Sequence, residues 1–121
     1  MSDGRGLERL REEIKRVLSS VVEFEARDPV IRTAFPTVMD VRLSPDARYA
    51  QVFVALGAAE ADKKAVMAVF RHDRGFFRSE LAHRLDLRYT PELRFVLDET
   101  IERAQRLEKL LDETRDGQAP A

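Results

Sequence analysis

Four cations in the middle of the chain have the type and spacing to hold a polyanion. Lys64, Arg71 and Arg78 recur at seven-residue intervals, and Arg74 falls between the last two. Seven residues are close to two helical turns, so side chains at that interval share one side of a helix. Ammonium and guanidinium groups in such a stripe suit phosphate oxygens, contacts that fix register on a nucleic acid without reading its sequence. Arg88 and Arg94 flank a predicted strand further on and could extend the same surface. On spacing alone, a solvated face paired with Glu60, Glu80 and other acids is the more ordinary outcome for a charge run. Arg88 and Arg94 could equally be edge-strand charges that block aggregation.

Other chemistries find little support. His72 and His83 are too far apart for an i,i+4 metal pair, and with no cysteine in the chain no metal site is expected. Asp40, Asp46 and Asp98 invite a carboxylate-pair mechanism. Asp46, however, stands in turn sequence, while Asp40 and Asp98 fall on the wet faces of predicted strands. Ser44 and Ser79 have no histidine beside them in a nucleophile setting, and no glycine-rich phosphate loop occurs. An enzyme is therefore not expected, nor a cofactor. Phe53, Phe76 and Tyr89 could stack bases, yet aromatic residues at strand and helix spacing are more often core.

The 121 residues fit one compact domain. With 44% hydrophobic and 36% charged residues, there is enough apolar material for a core under an ionic surface. Lys plus Arg total 21 against 22 acids, a net charge of −1, so any nucleic-acid contact must come from a local basic face. The absence of cysteine excludes a disulfide scaffold and makes a cytoplasmic location the default expectation. The charged N-terminus lacks the apolar stretch of a signal peptide, and no later run is long enough to span a membrane.

Apolar residues at Leu7, Leu10, Ile14, Val17, Leu18 and Val21 predict an amphipathic first helix, with Asp28-Pro29 as its terminator and an irregular link after it. Thr37 to Leu43 and Tyr49 to Leu56 alternate with period two around the turn sequence Ser44-Pro45-Asp46-Ala47, predicting a hairpin. Ala50, Val52, Val54 and Leu56 form one face of its second strand; Tyr49, Gln51, Phe53 and Ala55 form the other. Glu60 to Arg71 and the stripe Phe77, Leu81, Leu85 predict two helices joined at Asp73-Arg74-Gly75, with Gly75 supplying a backbone angle that other residues resist. Glu92 to Asp98 predicts a third strand. Ile101 to Leu111 predicts a last amphipathic helix, leaving residues 112–121 as a flexible tail after a domain spanning 1–111. The order α-β-β-α-α-β implies an α+β fold of two layers, a three-stranded mixed sheet with helices on one face.

That order is the one found in type II KH domains, and four stretches resemble the ribosome-binding factor A family. They are Asp28-Pro29; Val38-Met39-Asp40-Val41 through Ser44-Pro45-Asp46; Gly75-Phe76-Phe77-Arg78-Ser79-Glu80-Leu81; and Leu87-Arg88-Tyr89-Thr90-Pro91-Glu92-Leu93-Arg94-Phe95, followed by Asp98-Glu99-Thr100-Ile101-Glu102-Arg103. Their order and spacing run from about Leu7 to Leu111. The resemblance implies a bacterial-type cytoplasmic factor, monomeric when free and without membrane contact. It would bind the small (30S) ribosomal subunit, touch its 16S rRNA and possibly its ribosomal proteins, and assist late assembly, 5′-end processing and cold adaptation. It also implies a helix-kink-helix in place of the GxxG loop with which ordinary KH domains clamp RNA. The family's Ala-x-Gly kink falls here on Asp73-Arg74-Gly75, and where the family often has arginine after Asp-Pro this chain has Val30. A carboxylate at the kink must face away from a phosphate or weaken contact there. With the resemblance counted, the residues expected on RNA are Lys64, Arg71, Arg74, Gly75, Arg78, Arg88 and Arg94. The alternative is a protein-protein interaction module with no direct RNA contact.

Overall fold

The computed structural model describes residues 4–117. The first helix, α1 (Gly4–Phe24), lays Ile14, Leu18 and Val21 against the sheet with no exposed surface, the stripe expected from their spacing. Asp28-Pro29 does more than stop it. The Asp28 carboxylate accepts a hydrogen bond from the Val30 amide at 2.9 Å, and Pro29 occupies the first helical position, so the same dipeptide starts a short helix, α2 (Pro29–Ala34). The irregular link expected there is corrected accordingly. Its apolar residues Ile31 and Ala34 face the core.

Helix α2 ends on Phe35 in the left-handed region, φ 49°. The Phe35 carbonyl accepts from the Gly57 amide at 2.9 Å, and a Cβ on Gly57 would stand 3.0 Å from that oxygen. Glycine is needed there for the close approach of two backbones.

Strands β1 (Pro36–Leu43) and β2 (Tyr49–Leu56) form the expected antiparallel hairpin, and β3 (Glu92–Leu97) runs parallel to β2, giving the order β1-β2-β3. The alternation expected of β1 is broken by a bulge between Val38 and Asp40. The extra residue lets Val38 and Val41 both point into the core, although strict alternation sets them on opposite faces. It also turns Asp40 toward α1, where Arg11 Nη1 donates to it at 3.0 Å. Helix α3 (Lys63–His72), capped by Asp62 on the Ala65 amide at 3.1 Å, and α4 (Arg74–Leu85) make the crossover from β2 to β3.

Ala50, Val52, Val54, Leu93 and Phe95 face the helices and are buried, so the two-layer α+β arrangement with helices on one face is as expected. The last helix, α5 (Thr100–Gly117), passes beyond Leu111, where the sequence suggested a flexible tail begins; residues 118–121 of that tail lie outside the described residues.

Candidate nucleic-acid interface

The corner between α3 and α4 is held by three aromatic rings. Phe70 near the end of α3, Phe77 in the first turns of α4 and Phe95 on β3 pack at centroid separations of 5.6, 5.1 and 5.3 Å, all buried. Such ring clusters are large, stiff contributors to a core, so the corner has a defined angle. The chain turns at Asp73, whose φ of −90° and ψ of 8° are open to any residue. The Asp73 amide still bonds to the Val69 carbonyl at 2.8 Å.

Gly75 therefore does not make the bend. It lies inside α4 without a positive φ, and a Cβ there would meet nothing within 4 Å. What it contributes is open space above the backbone, where an incoming group can approach main-chain atoms closely.

Beside this corner a depression of about 440 Å³ is lined by His72, Arg74, Gly75, Arg78, Glu92, Leu93 and Arg94. It brings together four of the seven residues expected from the sequence, Arg74, Gly75, Arg78 and Arg94. Lys64 and Arg71 are exposed on α3 outside its lining, and Arg88 is exposed in the link before β3. Among the described residues, no carboxylate lies within 4.0 Å of a charged nitrogen of Lys64, Arg71, Arg74, Arg78, Arg88 or Arg94. The cations beside the corner thus make no ion pair, although Glu92 shares the depression with them, whereas Arg84 on the same helix is spent on Glu25 of α1 and on Glu80.

Arg78 has a second duty. Its Nε and Nη2 donate to the Thr90 carbonyl at 3.3 and 2.8 Å, tying α4 to the segment that enters β3. Helix α4 has no side-chain cap, so no side chain of its own competes for the partial positive charge at its start, next to Arg74. Asp73, the carboxylate at the kink, lines a different cleft, with Glu25, Ala26, Arg27, Asp28, Phe76 and Phe77. It is not part of the basic depression's lining. Phe76 goes with it and is not placed to stack anything in the basic depression.

The remaining candidates serve local structure. Ser44 donates to Asp46 at 2.7 Å and accepts from the Tyr49 amide at 3.1 Å; the hydroxyl and the Arg48 amide hold the Asp46 carboxyl below its ordinary range. Asp98 accepts from the Thr100 hydroxyl at 2.5 Å and amide at 2.9 Å, which lower its pKa in turn and cap α5. His83 bonds to the Ser79 carbonyl one turn back. Among the described residues no group of His, Asp and Glu could hold a metal ion, and no helix is long and apolar enough to cross a membrane.

No role was expected for Arg42, Tyr49 and Gln51, which with Phe53 and Arg94 make up much of the sheet face turned away from the helices. Their signal was present in the alternation of β2, which sets Tyr49, Gln51 and Phe53 opposite its aliphatic residues.

Fold and site together define a KH-like α+β domain that carries a corner of cations free of ion pairs where ordinary KH domains have a GxxG loop. Comparison with known proteins narrows this. The model of the family described as ribosome-binding factor A matches residues 7–111, and the chain belongs to that family. It is 38% identical over 108 residues to the ribosome-binding factor A of Acetivibrio thermocellus, covering 89% of this chain and 87% of that one. The solution structure of a Thermotoga maritima ribosome binding factor A superposes with a TM-score of 0.69 at 33% identity, covering 84% of this chain and 95% of that one. A Thermus thermophilus ribosome binding factor A, fitted as a homology model into a cryo-EM map of a 30S complex, superposes with a TM-score of 0.63 at 25% identity over 74% of this chain and 92% of that one.

Proposed function

We propose that this chain is a cytoplasmic maturation factor that binds the small ribosomal subunit and grips 16S rRNA backbone with its α3–α4 corner. In this reading it assists late assembly and 5′-end processing, with its greatest demand in the cold. The observation that carries the contact is the set of cations without ion pairs beside the corner, oriented by the Phe70–Phe77–Phe95 cluster at the start of α4. A net charge of −1 leaves no diffuse basic field, so affinity must come from this local patch. The Thermus thermophilus relative, described in a 30S complex, supports the choice of partner.

The test is co-sedimentation of the full chain with small subunits. If about four cations meet phosphates, log affinity should fall with log salt at a slope of about −3 to −4. Arg71→Glu with Arg74→Glu should abolish pelleting while circular dichroism stays unchanged. Arg78 is left intact because its bond to Thr90 is structural. Wild-type protein that fails to pellet at low salt would refute the partner, and a double variant that binds normally would refute the corner. The maturation role is tested in cells lacking the protein, which should accumulate unprocessed precursor rRNA 5′ ends, more so at low temperature. The alternative of a protein-binding module has one observation in its favour, the exposed apolar stripe Leu107, Leu110 and Leu111 on α5. Subunit binding that resists both salt and nuclease would favour it.

A further inference from the structure

The sheet face opposite the helices carries one motif twice, a guanidinium laid over an aromatic ring that solvent can reach, and a third such pair stands beside the strand entries. The Arg94 guanidinium carbon stands 4.6 Å from the Tyr49 ring centroid, that of Arg42 is 4.9 Å from Phe53, and that of Arg48 is 6.0 Å from Tyr89. Tyr49 and Tyr89 are 40% and 54% exposed, and Phe53 is half-buried. Strand register explains the pattern. Gln51 pairs with Arg42 on β1 and with Arg94 on β3, so Arg42, Gln51 and Arg94 form a row across the sheet. Tyr49 and Phe53 lie on either side of that row along β2, about 13 Å apart at the usual rise of a strand. Arg94 leans toward one ring and Arg42 toward the other.

We infer that this face binds unpaired RNA, stacking nucleobases on the Tyr49 and Phe53 rings or on the guanidinium planes that cover them, with the Gln51 amide offering a donor and an acceptor to a base edge. Exposed rings and guanidinium planes on a sheet are a favourable platform for splayed single-stranded bases, because every base has a π-face. A double helix hides those faces. Carboxylates border the platform, with Asp40 3.8 Å from Arg42, Asp46 3.8 Å from Arg48 and Glu92 across from Tyr49, but Arg94 has none within 4.0 Å among the described residues and is the cation free to meet a phosphate.

The platform is also continuous with the α3–α4 corner. Arg94 lines the corner depression and at the same time covers Tyr49, so a strand held by its backbone at Arg74 and Gly75 can round the edge of β3 and lay its next bases on the open face. The inference rests on the reading of RNA as the partner and adds the chemical class of RNA, single-stranded rather than helical.

The chain has no tryptophan and two tyrosines, Tyr49 on this face and Tyr89 in the link before β3, so with Tyr89 removed its ultraviolet emission reports on the platform directly. A single-stranded oligoribonucleotide of about ten residues, titrated into the full chain carrying Tyr89→Phe, should quench the remaining Tyr49 emission. A duplex of the same sequence should not. Tyr49→Ala should weaken binding of the oligonucleotide about tenfold, as expected for loss of one stacked base, and Arg94→Gln, which leaves every core residue in place, should weaken it as well. Absence of quenching, equal quenching by the duplex, or an unchanged affinity in Tyr49→Ala would each overturn the inference. So would loss of subunit binding in Tyr49→Ala that survives nuclease, since the occupant would then be a protein. These outcomes are separate from those for the corner, because wild-type pelleting with small subunits is measured without the oligonucleotide.

Discussion

Helices α1 and α5 are both long, both amphipathic by spacing and both ends of the same chain, yet they use their apolar residues in opposite ways. In α1, Ile14, Leu18 and Val21 have 0% exposure, whereas Leu107 and Leu110 in α5 are each 58% exposed. Polar ties follow the same division. Arg11 of α1 bonds to Glu8 within its helix and to Asp40 on the β1 bulge. Helix α5 is held near its start, where the Asp98 cap adjoins the ion pair of Glu99 with Lys63 at 2.7 Å. Periodicity thus tells which side of a helix is apolar, and says nothing about whether anything lies against that side. A helix gains most of its stability from what packs on it, so α1 should report the stability of the domain and α5 only its own.

The largest test of this contrast is a matched pair of truncations. Leu18→Ala should lower unfolding free energy by about 2–5 kcal/mol, and Leu110→Ala should change it by less than about 0.5 kcal/mol, both read by urea denaturation. Comparable losses would show that α5 is packed in solution. A smaller effect is expected where α5 does touch the sheet. Glu102 Oε2 is buried without a partner in a hollow lined by Thr37, Met39, Ala55, Leu56 and Ile101, so Glu102→Met should stabilise the domain by about 1 kcal/mol. No gain in thermal midpoint would mean that the carboxylate reaches water.

Helix α4 combines both conditions, burying Phe77 and Leu81 while leaving Gly75 bare. Gly75→Ala should raise stability by up to about 1 kcal/mol through helix propensity and yet weaken subunit binding, because the added methyl occupies the approach to the backbone. Equal or better binding would remove Gly75 from the interface. The smallest effect is set by pH. The folded Asp98 carboxyl titrates below its ordinary value because the Thr100 hydroxyl and amide favour the charged form. Its contribution is therefore fully present above the ordinary carboxylate range and is lost as pH falls through the folded value. Far-ultraviolet ellipticity should show α5 fraying in acid before tertiary signals from α1 change. Glu8 on α1 is shifted in the same direction by Arg11, so simultaneous loss of both would erase the distinction.

Much of the architecture was legible beforehand because it is written in local periods. The β2 faces, the hairpin turn and the stripes of α1, α3 and α4 each follow from spacing within one element. Two local features escaped for local reasons. Asp28-Pro29 stops one helix and starts another with the same residues, and a one-residue bulge puts Val38 and Val41 on the same side despite their parity. The site was legible as a set of residue types but not as a group. Lys64 and Arg71 share the seven-residue interval with Arg78, yet it is Arg94, from a different element, that joins Arg74 and Arg78 around one depression. The bend was assigned to Gly75 because glycine permits unusual angles, whereas Asp73 makes it with ordinary ones.

The sequence by itself determined most of the elements and their apolar faces, which depend on neighbours a few residues apart, and the family, which is carried by the order and spacing of motifs along the chain. Only the tertiary structure decided that Asp73 lines a separate cleft, that Arg94 serves both the corner and the open sheet face, and that the stripe of α5 is left uncovered. The reason is that these outcomes depend on the angles between elements. Those angles come from packing among residues far apart in the chain, above all Phe70, Phe77 and Phe95.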